Sequence, residues 1–447
     1  MWTAPPADTA GGCVVYQAAM PTEPLIMLQG IGNPNLAIWG VAAAATAGVI
    51  VRPWRLPEAT WAVLGAGTLV AAGLLPWRDA LHATGKGANV YLFLVGMMLL
   101  SEVARRECLF DWLAALAVRR SGGSARRLFL LIYLVGVVVT VFLSNDATAV
   151  VLTPAVFAVA SAAKAEPLPY LFVCAFVANA ASFVLPISNP ANLVLYGNHL
   201  PPLLTWLGHF LFPSALSIGA TLGSLLLLDR TALHRTIQAD IEQPRLAAGG
   251  VVAAIGIGVT AGVLLGASAA DFPLGLPTAV AGSCTVMVVL MRKREAPWHI
   301  LGGVSWLVLP LVAGLFVLVE GLVHTGIVSR LSDLLHRSAG VSIPGTAIGA
   351  GMILGMATNL TNNLPAGLLA GAAIAGAHVP SQVTDALLVG VDLGPNLSVT
   401  GSLATILWLT AIRREGVDVG FGQFLSRGGI VMLPALLLAL GGLFLFG

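Results

Sequence analysis

Four long apolar stretches of this chain are broken in the middle by polar residues that have no local partner. Ser144-Asn145-Asp146 interrupts the stretch from Leu128 to Ala160, and Thr361-Asn362-Asn363 interrupts the one from Val341 to Ala377. About forty residues after each comes a second break: Pro186-Ile187-Ser188-Asn189-Pro190-Ala191-Asn192 in the first half, and Asp392-Leu393-Gly394-Pro395-Asn396 running on to Thr400-Gly401-Ser402 in the second. Irregular backbone at membrane depth survives only when it is buried in protein or lines a cavity. Breaks at corresponding places in two halves are the strongest sequence pointer to a solute site between the halves of a carrier.

The lipid setting follows from composition. The chain is 57% hydrophobic and 9% charged, against roughly 25% charged residues in an ordinary soluble domain. Stretches of the length needed to cross hydrocarbon, about 20 residues, are read at 25–51, 58–75, 86–106, 168–200, 202–228, 247–268, 275–291, 297–322, 381–412 and 423–446. Two more, about 125–163 and 343–377, are each split by a polar tip and are read as re-entrant hairpins; the same side of the membrane results if each crosses twice. With that reading, eighteen Lys and Arg residues fall on one side, among them Arg105, Arg106, Arg292 and Arg413, and only Arg78, Lys86, Arg330 and Arg337 on the other. The richer side is then cytoplasmic, and both termini face outside. The first 24 residues hold no Lys or Arg, unlike a cleaved signal peptide. No basic patch with interleaved aromatics points to nucleic acid.

The expected fold is an all-α polytopic membrane protein of about ten spans in two inverted repeats. Residues 1–228 form the first repeat, 229–246 a charged cytoplasmic linker, and 247–447 the second repeat. Each repeat holds five spans, a re-entrant hairpin and a broken helix (about 168–200 and about 381–412). Gly96 to Glu102 matches Gly314 to Glu320 at an offset of 218 residues, and the polar tips follow at 217. Five spans per repeat turn the second repeat over, so one hairpin enters from the cytoplasm, the other from outside, and their tips can meet near the midplane. Cys108 to Val118 and Ile327 to His336 are amphipathic and either lie along the interface or simply join a span to a hairpin.

The candidate solute-binding residues are Ser144, Asn145, Ser188, Asn189, Asn192, Asn362, Asn363, Thr400 and Ser402. Ser, Asn and Asp are also preferred helix N-caps, and the two roles are compatible because a helix N-terminus offers free N–H groups and partial positive charge. Asp146 and Asp392 are the proton-coupling candidates. A carboxylate within the membrane is a functional hypothesis by default, since desolvation favours its neutral form; the alternative is a carboxylate kept ionised by neighbouring N–H groups. Glu102 and Glu320 are read as interfacial, and His199 and His209 as turn residues of no special role. Arg and Lys are absent from all four breaks, which counts against a multivalent anion as solute. Cys13, Cys108, Cys174 and Cys284 show no metal or disulfide spacing and are read as small buried hydrophobes. Neither zinc-ligand spacing nor a nucleophile motif marks an enzyme, and no cofactor is expected.

The segments Phe142-Leu143-Ser144-Asn145-Asp146-Ala147-Thr148-Ala149, Leu152-Thr153-Pro154, Ala178-Asn179-Ala180-Ala181-Ser182 and Pro186-Ile187-Ser188-Asn189 resemble the arsenite efflux permease family (ArsB type) of the ion transporter superfamily. So do Asn362-Asn363-Leu364-Pro365, Asp392-Leu393-Gly394-Pro395, Gly401-Ser402-Leu403-Ala404-Thr405 and Ala296-Pro297-Trp298. The similarity runs from about residue 85 to the end. It implies export of arsenite and antimonite, driven by inward proton flow or assisted by a separate arsenical pump ATPase, with a scaffold part and a moving part in the inner (plasma) membrane. Arsenous acid is a small neutral trihydroxide, and neutral amides and hydroxyls both donate to and accept from such a group. A sodium/proton antiporter of the same superfamily is the nearest rival reading. An anion or dicarboxylate carrier and a passive channel follow.

Overall fold

The computed structural model describes residues 33–197, 200–238 and 246–445. Cys13, His199, Arg245 and the opening residues of the first expected span lie outside them. Apart from one isolated antiparallel bridge between Ser124 and Thr236, the described residues form helices joined by short turns, as expected for the all-α class. The first half runs through α1 (Pro34–Val51), α2 (Glu58–Ala71), α3 (Trp77–Lys86), α4 (Ala88–Arg106), α5 (Leu109–Ser121), α6 (Ala125–Phe142), α7 (Asn145–Ala162), α8 (Pro167–Ala180), α9 (Pro190–Tyr196) and α10 (Leu203–Leu228). The second half holds α11 (Ala248–Ala269), α12 (Gly275–Lys293), α13 (Val308–His324), α14 (Ile327–Val341), α15 (Ile343–Thr361), α16 (Asn363–Ala377), α17 (Ser381–Leu393), α18 (Leu403–Arg414) and α19 (Phe421–Gly442). From α4 to α10 and from α13 to α19 the order of elements is the same: a span, a surface helix, two arms meeting at a polar tip, a helix that breaks, its continuation, and a long closing span.

Among the described residues, α1, α4, α6, α7, α10, α11, α12, α15 and α19 each have at least 18 residues and enough apolar character to cross a membrane. At 1.5 Å per residue such a helix is about 27 Å long, close to the hydrocarbon thickness. The outer surface fits that solvent: Leu134, Leu227, Ile255, Ile353 and Leu437 are each more than half exposed. α13 and α14 meet at a 75° bend. α14 carries Arg330, Asp333, His336 and Arg337, so the bend turns a polar helix away from the apolar axis of α13. Caps follow the local sequence. Ser124 accepts from the N–H of Arg127 at 3.3 Å to start α6, and Ser342 accepts from the N–H of Gly345 at 3.1 Å to start α15, each satisfying one of the free donors at a helix N-terminus.

Two differences from the expected spans stand out. The stretch between the second and third spans is a helix of its own, α3, introduced by Pro76. The span expected at 297–322 begins only at Val308, because Gly302, Gly303 and Ser305 separate it from the single turn Trp298–Leu301.

The packing exchanges elements between the halves. α13 of the second half packs on α1 and α2, and α4 of the first half packs on α11 and α12; the closing spans α10 and α19 pack on one another. α15 and α17 lie so close that a Cβ added at Gly351 would fall 2.7 Å from the carbonyl oxygen of Ala386. Backbone contact of this kind holds helices together in lipid, where apolar burial alone gives little drive. It brings the second hairpin against the second broken span.

Candidate substrate site

α6 ends at Phe142, and Ser144 is fully extended. Its hydroxyl caps α7, accepting from the N–H of Ala147 at 3.2 Å, while Asn145 Oδ1 accepts from the N–H of Asp146 at 2.9 Å. The first tip is therefore the N-terminus of α7, with its positive end and spare donors aimed out of the helix. One turn later α7 widens into a π-helical segment over Thr148–Leu152. Pro154 lies just beyond, and its missing N–H removes one of the bonds that would keep this turn tight. Thr140 and Thr148 share a hydrogen bond of 2.8 Å across the two arms.

Asp146 is half-buried and lines a cavity of about 130 Å3 with Ser144. Its carboxylate has no hydrogen-bond or ion-pair partner among the described residues. The same cavity is lined by Pro190 at the start of α9, Leu403 at the start of α18, and Ser101, Glu102 and Arg105 of α4. Most of the remaining wall is apolar, including Met97, Val151 and Leu407.

The two broken spans cross beside this cavity. Asp392, fully buried, accepts from the Ser182 hydroxyl at 2.7 Å and from Asn189 Nδ2 at 2.8 Å. Asn179 Nδ2 donates to Asn396 Oδ1 at 2.9 Å, and Asn396 Nδ2 donates to the carbonyl of Phe176 at 3.0 Å. Each side chain in this crossing is at most 1% exposed, and a buried polar group must find such partners or destabilise the fold.

The other candidates have mostly local partners. The Ser188 hydroxyl donates to the Val141 carbonyl at 3.0 Å, joining the first break to the first hairpin. Asn192 Nδ2 donates to the Ser182 carbonyl at 2.9 Å and closes the loop of its own break; its Oδ1 has no partner among the described residues. Thr400 donates to the Asn359 carbonyl at 2.9 Å, joining the second break to the second hairpin. Ser402 caps α18, accepting from the N–H of Thr405 at 3.1 Å. Asn362, at φ 73°, caps α16 by accepting from the N–H of Leu364 at 3.4 Å. Asn363 is buried and makes no side-chain hydrogen bond to another described residue. Ser144 and Asp146 thus share the cavity with the starts of α9 and α18, Asn189 and Asp392 are bonded to each other, and Asn362 and Asn363 do not line this cavity.

Several site residues escaped the reading of the sequence. Glu102, read as interfacial, and Arg105, counted among the basic residues of the cytoplasmic side, both line the cavity. Glu102 is 5% exposed and holds Arg105 through contacts of 2.6 and 2.8 Å and Arg106 at 3.0 Å. A guanidinium therefore reaches the site from α4, although none is present in any break. Ser182, Asn179 and Asn396 lay in or beside the quoted motifs, which was the signal that could have found them. Asn359 had none: it ties the second hairpin to the second break through Nδ2 to the Gly394 carbonyl at 3.0 Å and Oδ1 to the Ser398 hydroxyl at 2.8 Å. Outside the site, Cys174 is buried as expected, whereas Cys108 and Cys284 are exposed and not the buried residues the sequence suggested.

Comparison with known proteins agrees with this architecture. The arsenical pump membrane protein of Yersinia enterocolitica is 28% identical over 375 residues, covering 79% of this chain and 86% of that protein. The arsenical pump membrane protein of Escherichia coli is 26% identical over 415 residues, covering 88% and 95%. Among solved structures, the YdaH transporter of Alcanivorax borkumensis, described as having an unusual topology, superposes with a TM-score of 0.54 at 18% identity, covering 92% of this chain and 96% of that one. The resemblance to arsenite efflux permeases read from the motifs is borne out by these relatives. A citrate transporter family model (CitMHS) matches residues 37–412, spanning both hairpins and both breaks, and this chain is accordingly a member of the CitMHS family of membrane transporters.

Proposed function

We propose that this protein exports arsenite and antimonite as neutral trihydroxides in exchange for protons, by alternating access at the cavity below the first hairpin tip. The observation that carries the reading is Asp146. It is a carboxylate without a protein partner, at a helix N-terminus, in the wall of a small cavity of a chain related to arsenical pump membrane proteins. Among the described residues the one strong cation in that wall, Arg105, is already held by Glu102, so the charge left unpaired there is that of Asp146, and no free cation faces the solute. Such a wall suits a neutral solute with three hydroxyls.

In the proposed cycle, Asp146 and Ser144 meet the solute first. The amides and hydroxyls of Asn145, Ser188, Asn189, Asn192, Asn362, Asn363, Thr400 and Ser402 position the breaks and complete the chamber as it changes access. Asp146 takes a proton from the outside and loses it to the cytoplasm, and protonation releases the solute. Asp392 braces the crossing of the broken spans and is the second acid through which a proton can pass. The two halves form inverted repeats, the hairpins are re-entrant, the arginine-rich face is cytoplasmic, and both termini lie outside the inner membrane. An arsenical pump ATPase docking on the cytoplasmic face is compatible with this scheme and is not required by it.

The test is transport into everted vesicles or proteoliposomes with an imposed pH gradient, using arsenite, antimonite, sodium and citrate in turn. Proton-driven arsenite uptake that is lost in Asp146→Asn supports the reading; unchanged uptake in that variant removes the role of Asp146. A second reading, a citrate carrier, draws on the family model and on Arg105. It requires citrate uptake that Arg105→Gln abolishes, and a tricarboxylate would have to compete with Glu102 for the one guanidinium.

A further inference from the structure

The first hairpin stands on two feet, residues 123–125 at the start of α6 and Ala163 just after α7. α6 meets α7 chiefly over 145–152, near the tip, while both shafts pack on α5 and α8. The linker between the halves, read from the sequence as a charged connector, runs between the feet. Thr236 pairs with Ser124 as an antiparallel bridge. The N–H of Ile237 donates to the Gly123 carbonyl at 2.9 Å, and the N–H of Ala125 donates to the Arg235 carbonyl at 3.4 Å. The next N–H along the linker, that of Gln238, donates to the other foot, at the Ala163 carbonyl, at 2.9 Å. Successive N–H groups of an extended chain point to opposite sides, so one short segment is wedged between the feet and bonded to each. Gly123, at φ 83°, lies so close that an added Cβ would press on the Ile237 carbonyl oxygen at 3.3 Å. The upstream end is tied as well. Asp229, 4% exposed, accepts from Arg427 Nη1 at 2.9 and 3.0 Å, and that guanidinium lies 4.5 Å from the centre of the Phe172 ring on α8.

We propose that Ile237 and Gln238 are positioning residues for Asp146, and that the linker is a strap that sets the spacing of the hairpin's feet and so the seat of its tip in the cavity wall. The inference rests on the reading of Asp146 given above and adds a residue pair, outside the cavity lining, that fixes where its carboxylate stands. Apolar packing of the shafts on α5 and α8 is non-directional, whereas the two backbone bonds of the strap each fix a distance. The feet are also the long end of a lever. α6 has 18 residues, about 27 Å at 1.5 Å per residue, so a change of about 5° in its lean moves the tip by about 2 Å. A shift of that size is enough to break a hydrogen bond between a wall group and a solute. The strap acts through backbone N–H groups, so a change of side chain at 237 or 238 leaves it in place, and loss of either N–H frees one foot.

The experiment compares Ile237→Pro and Gln238→Pro, each without the N–H that reaches one foot, with Ile237→Ala and Gln238→Ala, which keep it. The full chain is reconstituted in proteoliposomes and rates are normalised to monodisperse protein. Each proline variant is expected to raise the KM for arsenite severalfold with kcat little changed, and the alanine variants to match wild type in both. Equal KM in proline and alanine variants overturns the proposal, and so does a loss confined to kcat. Gly123→Ala presses on the strap from the foot and should raise KM in the same direction; if the proline variants do not fold, its KM decides by the same criterion. A separate readout needs no solute. With the four cysteines replaced by serine or alanine, spin labels on Arg126→Cys and Lys164→Cys, exposed positions beside the two feet, should report a longer or broader separation in the proline variants than in the alanine variants. An identical separation overturns the strap. If the parent protein moves no arsenite, the reading of Asp146 falls, and the spin-label separation still decides whether the strap sets the feet.

Discussion

The first hairpin tip and the crossing of the broken spans each hold one carboxylate, and the two are treated in opposite ways. Asp392 is fully buried and bonded by a hydroxyl and an amide from the other half of the chain. Asp146 sits in the wall of a cavity with only its backbone N–H engaged. The same functional group is fully bonded in one place and left without a side-chain partner in the other. What separates the two is whether neighbouring side chains use up its lone pairs. A carboxylate with every contact made is expensive to remove and of little use to a passing solute; one with none is the reverse.

That contrast breaks most sharply on stability. Asp392→Leu leaves the Ser182 hydroxyl and the Asn189 amide without their acceptor in a dry crossing, at a cost of about 3 kcal/mol, since hydrogen bonds to charged groups contribute about 1.5–3 kcal/mol each. A large drop in the thermal midpoint of purified protein in detergent is expected, and a midpoint equal to wild type would show that the crossing is not the brace described. Asp146→Asn should do the opposite. Proton-driven arsenite uptake should fall more than tenfold while the midpoint moves by less than about 0.5 kcal/mol in equivalent stability, the range of sites without buried partners. If both variants lose stability equally, the distinction fails.

Smaller effects sharpen the comparison. Glu102→Gln removes the carboxylate that occupies Arg105 and should make arsenite uptake several-fold more sensitive to inhibition by citrate, measured by competition in the same vesicles; an unchanged sensitivity would mean that Arg105 does not present itself to the cavity. The smallest effect on transport is expected at another buried carboxylate, Asp385, which accepts from the Tyr196 hydroxyl at 2.6 Å and lies 2.8 Å from His209 Nδ1. Tyr196→Phe removes one of those contacts and should lower stability by about 1.5 kcal/mol, with arsenite uptake retained after normalising to folded protein. Asp385 resembles Asp392 in being fully engaged, and a transport defect larger than the loss of fold would move it into the company of Asp146.

Much of this architecture was legible in the sequence because its signals are local. A Ser, Asn or Asp after an apolar run is a favoured helix N-cap, so the Ser144–Asp146 and Asn362–Asn363 tips announced the starts of α7 and α16, while the caps Asn189 and Ser402 at the starts of α9 and α18 were seen only in the structure. Most of the apolar runs gave the helices to within a few residues, the exception being the one that begins at Val308 and not at 297. The order of elements from α4 to α10 returned from α13 to α19, at positions the polar breaks had marked. What the sequence hid was contact between distant segments. Nothing near Glu102 says that α4 will lean over the first hairpin tip, and nothing near Asn359 says that it will bind the second break. Likewise Asn179 and Asn396 look like isolated polar residues in separate spans until the spans cross. The charge of the cavity wall is therefore not legible from the breaks alone, because Arg105 arrives from an unbroken helix.

The π-helical turn at Thr148–Leu152 has a consequence of its own. Fitting one extra residue into a turn shifts every later side chain around the helix axis, so the tip of α7 and its shaft face different neighbours than an uninterrupted helix would allow. The tip is aimed at the cavity while the shaft keeps its apolar stripe on α8. Such a swivel also gives the apex a place to pivot without uprooting the arm beneath it.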